Sequence, residues 1–163
     1  MTSEVPGPAA TTEAAVVAAL VRRGETVATA ESLTAGLVCA TLTGVPGASA
    51  AVRGGLIVYA TDLKATLAGV DPDLLAAHGA VHPEVAAQLA EGARERCRAN
   101  WGVGLTGVAG PDPQDGVAPG TVHVALAGAG LRTTRTLEFS GVRAEVRAAS
   151  VAAALDLLRE HLV

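Results

Sequence analysis

Apolar residues recur every three or four positions along several stretches of the chain, which is the spacing that buries one face of an α-helix. The clearest stretch is 12–23, where Val16, Val17 and Leu20 form an apolar stripe and Gly24 follows as a C-terminal stop. The same spacing predicts further helices over residues 33–42, 61–69, 72–77, 83–99 and 142–161.

Short runs of apolar or β-branched residues, bounded by Gly and polar residues, predict strands between these helices. They cover residues 26–30, 56–60, 101–106, 121–128 and 131–139, and the last two form a predicted hairpin. Helices and strands alternate before the hairpin, so we predict a three-layer α/β/α sandwich with a mixed, mostly parallel sheet. Ligands of such sheets bind beyond the carboxyl ends of the strands.

The length of 163 residues fits one domain with a core of its own. We predict that residues 1–11 are a flexible leader, because this stretch holds two prolines and a glycine, and that residues 12–163 are the folded domain. Half of the residues are hydrophobic, yet Tyr59, Trp101 and Phe139 are the only aromatic ones. The core must therefore consist mainly of Ala, Val and Leu.

The charge pattern argues against nucleic acid as the main partner. The formal net charge is −4 and Lys and Arg form no cluster, whereas a phosphate backbone requires clustered cations. No segment approaches the roughly 20 apolar residues of a membrane span, and no signal peptide is recognisable. Cys39 and Cys97 are too few for a disulfide framework. We expect a cytoplasmic protein without nucleic-acid or membrane partners.

The histidines do not predict a metal site. His78 and His82 are four residues apart, but Gly79 and Pro83 interrupt the segment, so a shared helical face is not expected. His123 lies inside a predicted strand and is a candidate general base, although a place on the sheet surface is the favoured interpretation. We therefore predict chemistry without a metal.

Ser32 lies in the segment ATAESLTAGL, between a predicted strand and a predicted helix. At such a junction backbone N–H groups are unpaired and the helix dipole favours negative charge, which suits a tetrahedral oxyanion. Ser is also a preferred helix N-cap. The position alone therefore leaves two interpretations, a nucleophile and a cap.

Tyr59 and Lys64 are predicted to reach the same sheet edge, Tyr59 at the end of a strand and Lys64 in the first turns of the next helix. A lysine near an apolar sheet loses hydration, so its charged form is disfavoured and it can accept a proton from a hydroxyl. A Ser–Lys pair with a nearby Tyr can replace a Ser–His–Asp triad. The alternatives are a core aromatic and a solvated helix charge.

Two further segments border this edge. GVGLTG, residues 102–107, has the spacing G-x-G-x-x-G, but it is predicted to be the strand itself, so we do not assign it to a dinucleotide. The loop 106–116 is rich in glycine and lets a ligand approach the main chain. Arg143 begins the last helix, where a cation is poorly placed unless an anion is near, so it is a candidate phosphate ligand. A solvated helix face is the alternative.

Five segments in order closely resemble the CinA C-terminal domain family: TVATAESLTAGL, VRGGLIVYATDLKATLAGV, HGAVHPEVA, VGLTGVAGPD and PGTVHVA. The likeness covers about residues 12–160, and the ordered set is far more specific than any one motif. It implies a three-layer α/β/α fold and a metal-free nicotinamide-nucleotide amidase without a cofactor. Such an enzyme converts nicotinamide mononucleotide and water to nicotinate mononucleotide and ammonia.

The resemblance also implies residue roles. Ser32 of the A-E-S-x-T-x-G motif is the expected nucleophile, and Tyr59 and Lys64 of the Tyr-x-x-x-x-Lys element are its partners. Lys64, with Tyr59 relaying or orienting the proton, is expected to activate Ser32 towards the carboxamide carbon. We assign the expected oxyanion and substrate contacts to Thr34, Gly36, Thr106, Gly107 and Arg143.

The chain departs from the family pattern at two places. His82 stands where members commonly have Ser, and PDPQDGVAPG replaces the usual loop with two consecutive glycines. A catalytically weak binding or scaffold domain, linked to competence or DNA-damage responses, is therefore the second hypothesis. A third is an amidase for a different nucleotide or amide. In each case we expect a homo-oligomer.

Overall fold

The computed structural model describes residues 9–163, in which two helix–strand pairs are followed by three helices, three strands and a last helix. The helices are α1 (Thr12–Arg23), α2 (Leu37–Thr43), α3 (Thr61–Thr66), α4 (Pro72–His78), α5 (Pro83–Arg96) and α6 (Arg143–Leu162). The strands are β1 (Val27–Glu31), β2 (Val52–Ile57), β3 (Trp101–Gly107), β4 (Thr121–Gly128) and β5 (Leu131–Glu138). The first eight residues of the predicted leader lie outside the described residues.

The five strands form one sheet in the order β2-β1-β3-β4-β5. β1 pairs in parallel with β2 and β3, whereas β4 pairs antiparallel with β3 and β5. Four strands therefore run in one direction and β4 runs against them. This confirms the predicted mixed, mostly parallel sheet and the hairpin at its end.

Each face of the sheet carries one apolar layer, because successive side chains of a strand point to opposite faces. On one face α1, α2 and α6 enclose Val27, Val103 and Val124. On the other face α5 packs against Ala28 and Ala30 with its apolar stripe, and the α3–α4 segment completes this layer. The core contains little more than Ala, Val and Leu, as the composition predicts.

The glycines of β3 explain the G-x-G-x-x-G spacing. A Cβ added at Gly102 would lie 1.9 Å from the Ala90 carbonyl oxygen, and one added at Gly104 would lie 2.3 Å from the Ala86 carbonyl oxygen. These glycines therefore let α5 approach the sheet closely. The prediction that this segment is a strand is confirmed.

Within residues 9–163, no helix combines the length and the apolar character that a membrane crossing requires.

Candidate active site

A cavity of about 640 Å³ lies where β1 and β3 end. Ser32 follows β1 directly, and Gly107 is the last residue of β3. The two strands are parallel neighbours, so their carboxyl ends meet at one sheet edge. The cavity is lined by Ser32, Leu33, Tyr59, Ala60, Thr61, Gly107, Val108, Ala109, Gly110, Pro111, Asp112, Pro113, Gln114 and Arg143.

Ser32 begins a tight turn rather than a helix. The turn covers residues 32–36, and α2 starts at Leu37 with Gly36 as its N-cap at φ 96°. The predicted helix over 33–42 therefore begins four residues too early, and the interpretation of Ser32 as a helix cap is wrong. The left-handed φ at the cap position is the reason, since it favours glycine and breaks the helical path.

The buried carboxylate of Glu31 organises this turn. It is 0% exposed and accepts four hydrogen bonds, from the hydroxyls of Thr29 and Thr34 and the backbone amides of Val38 and Cys39. Two of these donors belong to the first turn of α2, which a carboxylate stabilises. Sequence reasoning missed this role. The signal was a carboxylate ending a fully buried strand, which is tolerated only with hydrogen-bond partners.

Lys64 lies in α3 and is only 1% exposed. Its Nζ is 3.0 Å from Ser32 Oγ, 2.8 Å from the carbonyl oxygen of Val58 and 3.2 Å from that of Tyr59. The interpretation of Lys64 as a solvated helix charge is therefore wrong. The structure instead places the amine of Lys64 and the hydroxyl of Ser32 in direct contact.

Burial lowers the pKa of Lys64 from its ordinary value of 10.5 to about 8, and the Asp115 carboxylate opposes part of this shift. Within the described residues no carboxylate lies at salt-bridge distance from this amine. Lys64 is also the only lysine of the chain, since the other eleven of the twelve basic residues are arginines. This composition was a signal that sequence reasoning did not use.

The neutral form of the Lys64 amine fits its three hydrogen-bond contacts. A neutral amine has two N–H groups, which can donate hydrogen bonds to the carbonyl oxygens of Val58 and Tyr59. It also has one lone pair, which can accept a hydrogen bond from the Ser32 hydroxyl. The arrangement can therefore take the proton of Ser32 when the hydroxyl attacks an electrophile.

Tyr59 lies two residues beyond β2, so the prediction that it ends this strand is wrong. Its side chain is 60% exposed, which also rules out a core aromatic. The hydroxyl accepts a hydrogen bond from Arg143 Nη2 at 3.1 Å. In the described part of the chain it forms no hydrogen bond with Ser32 or Lys64, and it is the Tyr59 carbonyl that contacts the amine.

Arg143 is the first residue of α6 and forms part of the cavity wall. Its Nη1 donates to the carbonyl oxygen of Gly110 at 2.9 Å, and its Nη2 donates to Tyr59. It thereby joins two sides of the cavity mouth. Arg147, one helical turn later, donates from Nε to the carbonyl oxygen of Leu33 at 2.9 Å and so reaches the turn after Ser32.

The other predicted contact residues divide between the cavity and the core. Gly107 lines the cavity. Thr106 is buried and donates to the carbonyl oxygen of Ala80 at 2.7 Å. Thr34 is buried with its hydroxyl on Glu31 at 2.7 Å. Thr34, Gly36 and Thr106 therefore do not line the cavity, and Leu33 is the residue of the turn after Ser32 that does.

Two histidines also find structural explanations. His82 is the N-cap of α5, and its Nδ1 accepts from the backbone amide of Glu84 at 3.1 Å, so the imidazole takes the capping role of a serine. His123 is buried, with its Nδ1 2.8 Å from the hydroxyl of Thr136. Burial lowers the pKa of His123. Neither lines the cavity, so the candidate base at His123 is wrong.

Comparison with known proteins gives one consistent answer. The model of the CinA C-terminal domain family matches residues 9–162. Curated relatives named CinA-like protein are 49% identical over 150 residues in Frankia casuarinae and 52% identical over 147 residues in Anaeromyxobacter. These matches cover 92% and 90% of this chain but 35% and 36% of the relatives, so the chain spans about a third of their length.

Solved structures agree with this result. A CinA superfamily protein from Klebsiella pneumoniae superposes with a TM-score of 0.89 at 30% identity, covering 93% of this chain and 95% of that one. One from Escherichia coli superposes with a TM-score of 0.86 at 30% identity, covering 92% and 90%.

Proposed function

This chain belongs to the CinA C-terminal domain family, and from this premise we propose that it is a nicotinamide-nucleotide amidase with a Ser32–Lys64 catalytic pair. One observation carries the proposal: the only lysine of the chain is fully buried, with its amine 3.0 Å from the hydroxyl of Ser32. A buried amine without a carboxylate partner is suited to lose its proton.

In the first step the Ser32 oxygen attacks the carboxamide carbon of the substrate while its proton moves to Lys64 Nζ. The carbonyl π bond opens and leaves a negative charge on oxygen. Preorganised backbone donors stabilise such a charge, and loss of one donor costs about 3–4 kcal/mol in studied hydrolases. Among the described residues the amide of Leu33 has no acceptor and Leu33 lines the cavity, so this amide is the candidate donor.

In the second step Lys64 returns the proton to the amide nitrogen, the C–N bond breaks and ammonia leaves. An ester then joins Ser32 to the nicotinate acyl group. Water attacks this ester with its proton passing to Lys64, and the amine returns the proton to the Ser32 oxygen as the acid leaves. No proton or electron pair is left over after the cycle.

The volume and the charge of the cavity favour a nucleotide over a bare amide as the substrate. Its volume of about 640 Å³ lies within the usual range of small-molecule sites. Arg143 brings an exposed guanidinium to the cavity wall, whereas the Ser32–Lys64 pair is buried. A guanidinium binds phosphate in a bidentate manner. We assign the ring of the substrate to the buried end and its phosphate to Arg143, with the Tyr59 hydroxyl beside it.

The test is ammonia release from nicotinamide mononucleotide in buffer without added metal. Wild-type protein should form nicotinate mononucleotide and ammonia in equal amounts, and Ser32→Ala and Lys64→Ala should not. Nicotinamide, which lacks the ribose and phosphate, should react far more slowly. Full activity of Ser32→Ala would overturn the nucleophile, and a silent wild type would favour the binding or scaffold hypothesis.

A further inference from the structure

We propose that Glu31 is a positioning residue for the reaction: its carboxylate fixes the turn after Ser32 so that the backbone amide of Leu33, a residue of the cavity wall, is held ready for the oxyanion. The inference rests on the proposed function, because it concerns how the same serine works. Glu31 does not line the cavity and acts only through the turn.

The carboxylate connects three elements. Oε1 accepts from the Thr34 hydroxyl at 2.7 Å and from the Val38 amide at 2.8 Å. Oε2 accepts from the Thr29 hydroxyl at 2.8 Å and from the Cys39 amide at 3.1 Å. Strand β1, the turn and helix α2 are thus joined at one group, and every partner is a donor.

This arrangement changes the source of oxyanion stabilisation. The amides of Val38 and Cys39 donate to Glu31, and the Leu37 amide donates to the Thr34 carbonyl oxygen. The N-terminal amides of α2 are therefore not available to the substrate. Within the turn the amides of Ser32 and Ala35 are also engaged, with Leu105 and Ser32 carbonyl oxygens respectively. Within residues 9–163 the amides of Leu33, Thr34 and Gly36 have no acceptor, and of these three residues Leu33 is the one that lines the cavity.

The turn is anchored from other sides as well. The Ser32 amide donates to the Leu105 carbonyl oxygen at 3.1 Å, and Arg147 holds the Leu33 carbonyl oxygen at 2.9 Å. The Thr34 hydroxyl is the contact by which a turn side chain reaches Glu31. Glu31 therefore acts on the turn through this hydrogen bond.

The two threonines provide a matched pair of variants. Thr29→Val and Thr34→Val each remove one hydroxyl donor from the same buried carboxylate and leave the side-chain shape similar. Thr29 is in the strand and Thr34 is in the turn. Thr34→Ser retains the hydroxyl and serves as the rescue variant. Glu31→Gln is the harsher change, because it turns an acceptor into a donor among donors.

We expect Thr34→Val to lower kcat for nicotinamide mononucleotide by about 10- to 100-fold, the effect of a small misplacement of reacting groups. The Kd for nicotinate mononucleotide should stay near the wild-type value. Thr29→Val and Thr34→Ser should keep kcat within about threefold of wild type, since the turn retains its hydrogen bond. Thermal midpoints should fall similarly in both valine variants.

The rate of Ser32 labelling by a fluorophosphonate provides a second readout that needs no natural substrate. Slow labelling in Thr34→Val alone supports the positioning role, even if the wild type releases no ammonia and the proposed substrate is wrong. Equal losses in the two valine variants, or wild-type kcat and labelling in Thr34→Val, would overturn it. A wild type that resists labelling would overturn both the positioning role and the proposed nucleophile.

Discussion

Glu31 and Lys64 are both fully buried beside Ser32, the proposed nucleophile, and they differ in their hydrogen-bond partners. Glu31 is surrounded by four hydrogen-bond donors, two of them at a helix N-terminus. Lys64 has three neutral oxygen atoms within hydrogen-bond distance and, among the described residues, no carboxylate at salt-bridge distance. The first environment holds a carboxylate in place, whereas the second suits an amine that can lose its proton.

The difference shows how one fold can use burial for two purposes. Around Glu31, burial with full hydrogen bonding gives a rigid junction between β1 and α2. Around Lys64, burial with little electrostatic compensation lowers the pKa to about 8, close to the pH at which a base is needed. We therefore assign structure to the carboxylate and chemistry to the amine.

The largest expected effect comes from removing the amine. Lys64→Met should lower kcat by about 10³-fold, in the range measured for general acid–base groups. Lys64→Arg should be equally inactive, because a guanidinium keeps its proton at every accessible pH. Ammonia release from nicotinamide mononucleotide measures both. An active Lys64→Arg variant would contradict the role of Lys64 as a proton acceptor, since a permanent cation would then suffice.

The stability of the protein should also report the buried amine. The folded pKa of about 8 lies below the unfolded value of 10.5, so between these values the unfolded chain binds the additional proton. The free energy of unfolding should therefore rise from pH 8 to 10.5, by up to about 3 kcal/mol relative to Lys64→Met. Urea denaturation of both proteins across this pH range measures the difference. The same pH dependence of the unfolding free energy in wild type and Lys64→Met would contradict the prediction.

A substitution at the exposed mouth of the cavity should have a different effect from one at its buried end. Arg143→Ala should weaken binding of nicotinamide mononucleotide by about 10-fold or more, the size of a lost charge-assisted hydrogen bond. Nicotinamide riboside has no phosphate, so its KM should change much less. Arg159→Ala removes a cation from the last turn of the same helix, far from the cavity wall, and serves as the control. Equal losses for both substrates would remove the phosphate assignment.

The smallest expected effect concerns the influence of Asp115 on the pKa of Lys64. Asp115 favours the charged form of Lys64, so Asp115→Asn should lower the pKa of Lys64 further. The rising limb of the pH–rate profile should then move to lower pH. Asp112→Asn neutralises a carboxylate of the same loop and should leave the midpoint in place. A shift to higher pH in Asp115→Asn would contradict the electrostatic account.

The periodic parts of the fold could be predicted from the sequence. The bounds of α1 and β4 match the predicted ones, and the hairpin and the sheet type are confirmed. Each of these elements has an apolar pattern that is long enough to fix its type and ends at a glycine, Gly24 for α1 and Gly128 for β4.

The start of α2 and the place of Tyr59 could not be predicted, because neither depends on periodicity. Glu31 accepts a hydrogen bond from the Val38 amide in the first turn of α2, and the left-handed φ of Gly36 places the start of the helix at Leu37. Tyr59 leaves β2 and lies against Arg143, a residue 84 positions later in the chain. Both features depend on contacts between separate segments, which a local pattern does not contain.

The central claim, a buried amine that is half neutral near pH 8, can be measured directly because Lys64 is the only lysine. Protein labelled with ¹³C and ¹⁵N in lysine alone gives one Cε and one Nζ signal, which can be followed from pH 6 to 11 in the folded protein and in urea. The account predicts a midpoint near 8 when folded and near 10.5 when unfolded. The same midpoint near 10.5 in both states would contradict it.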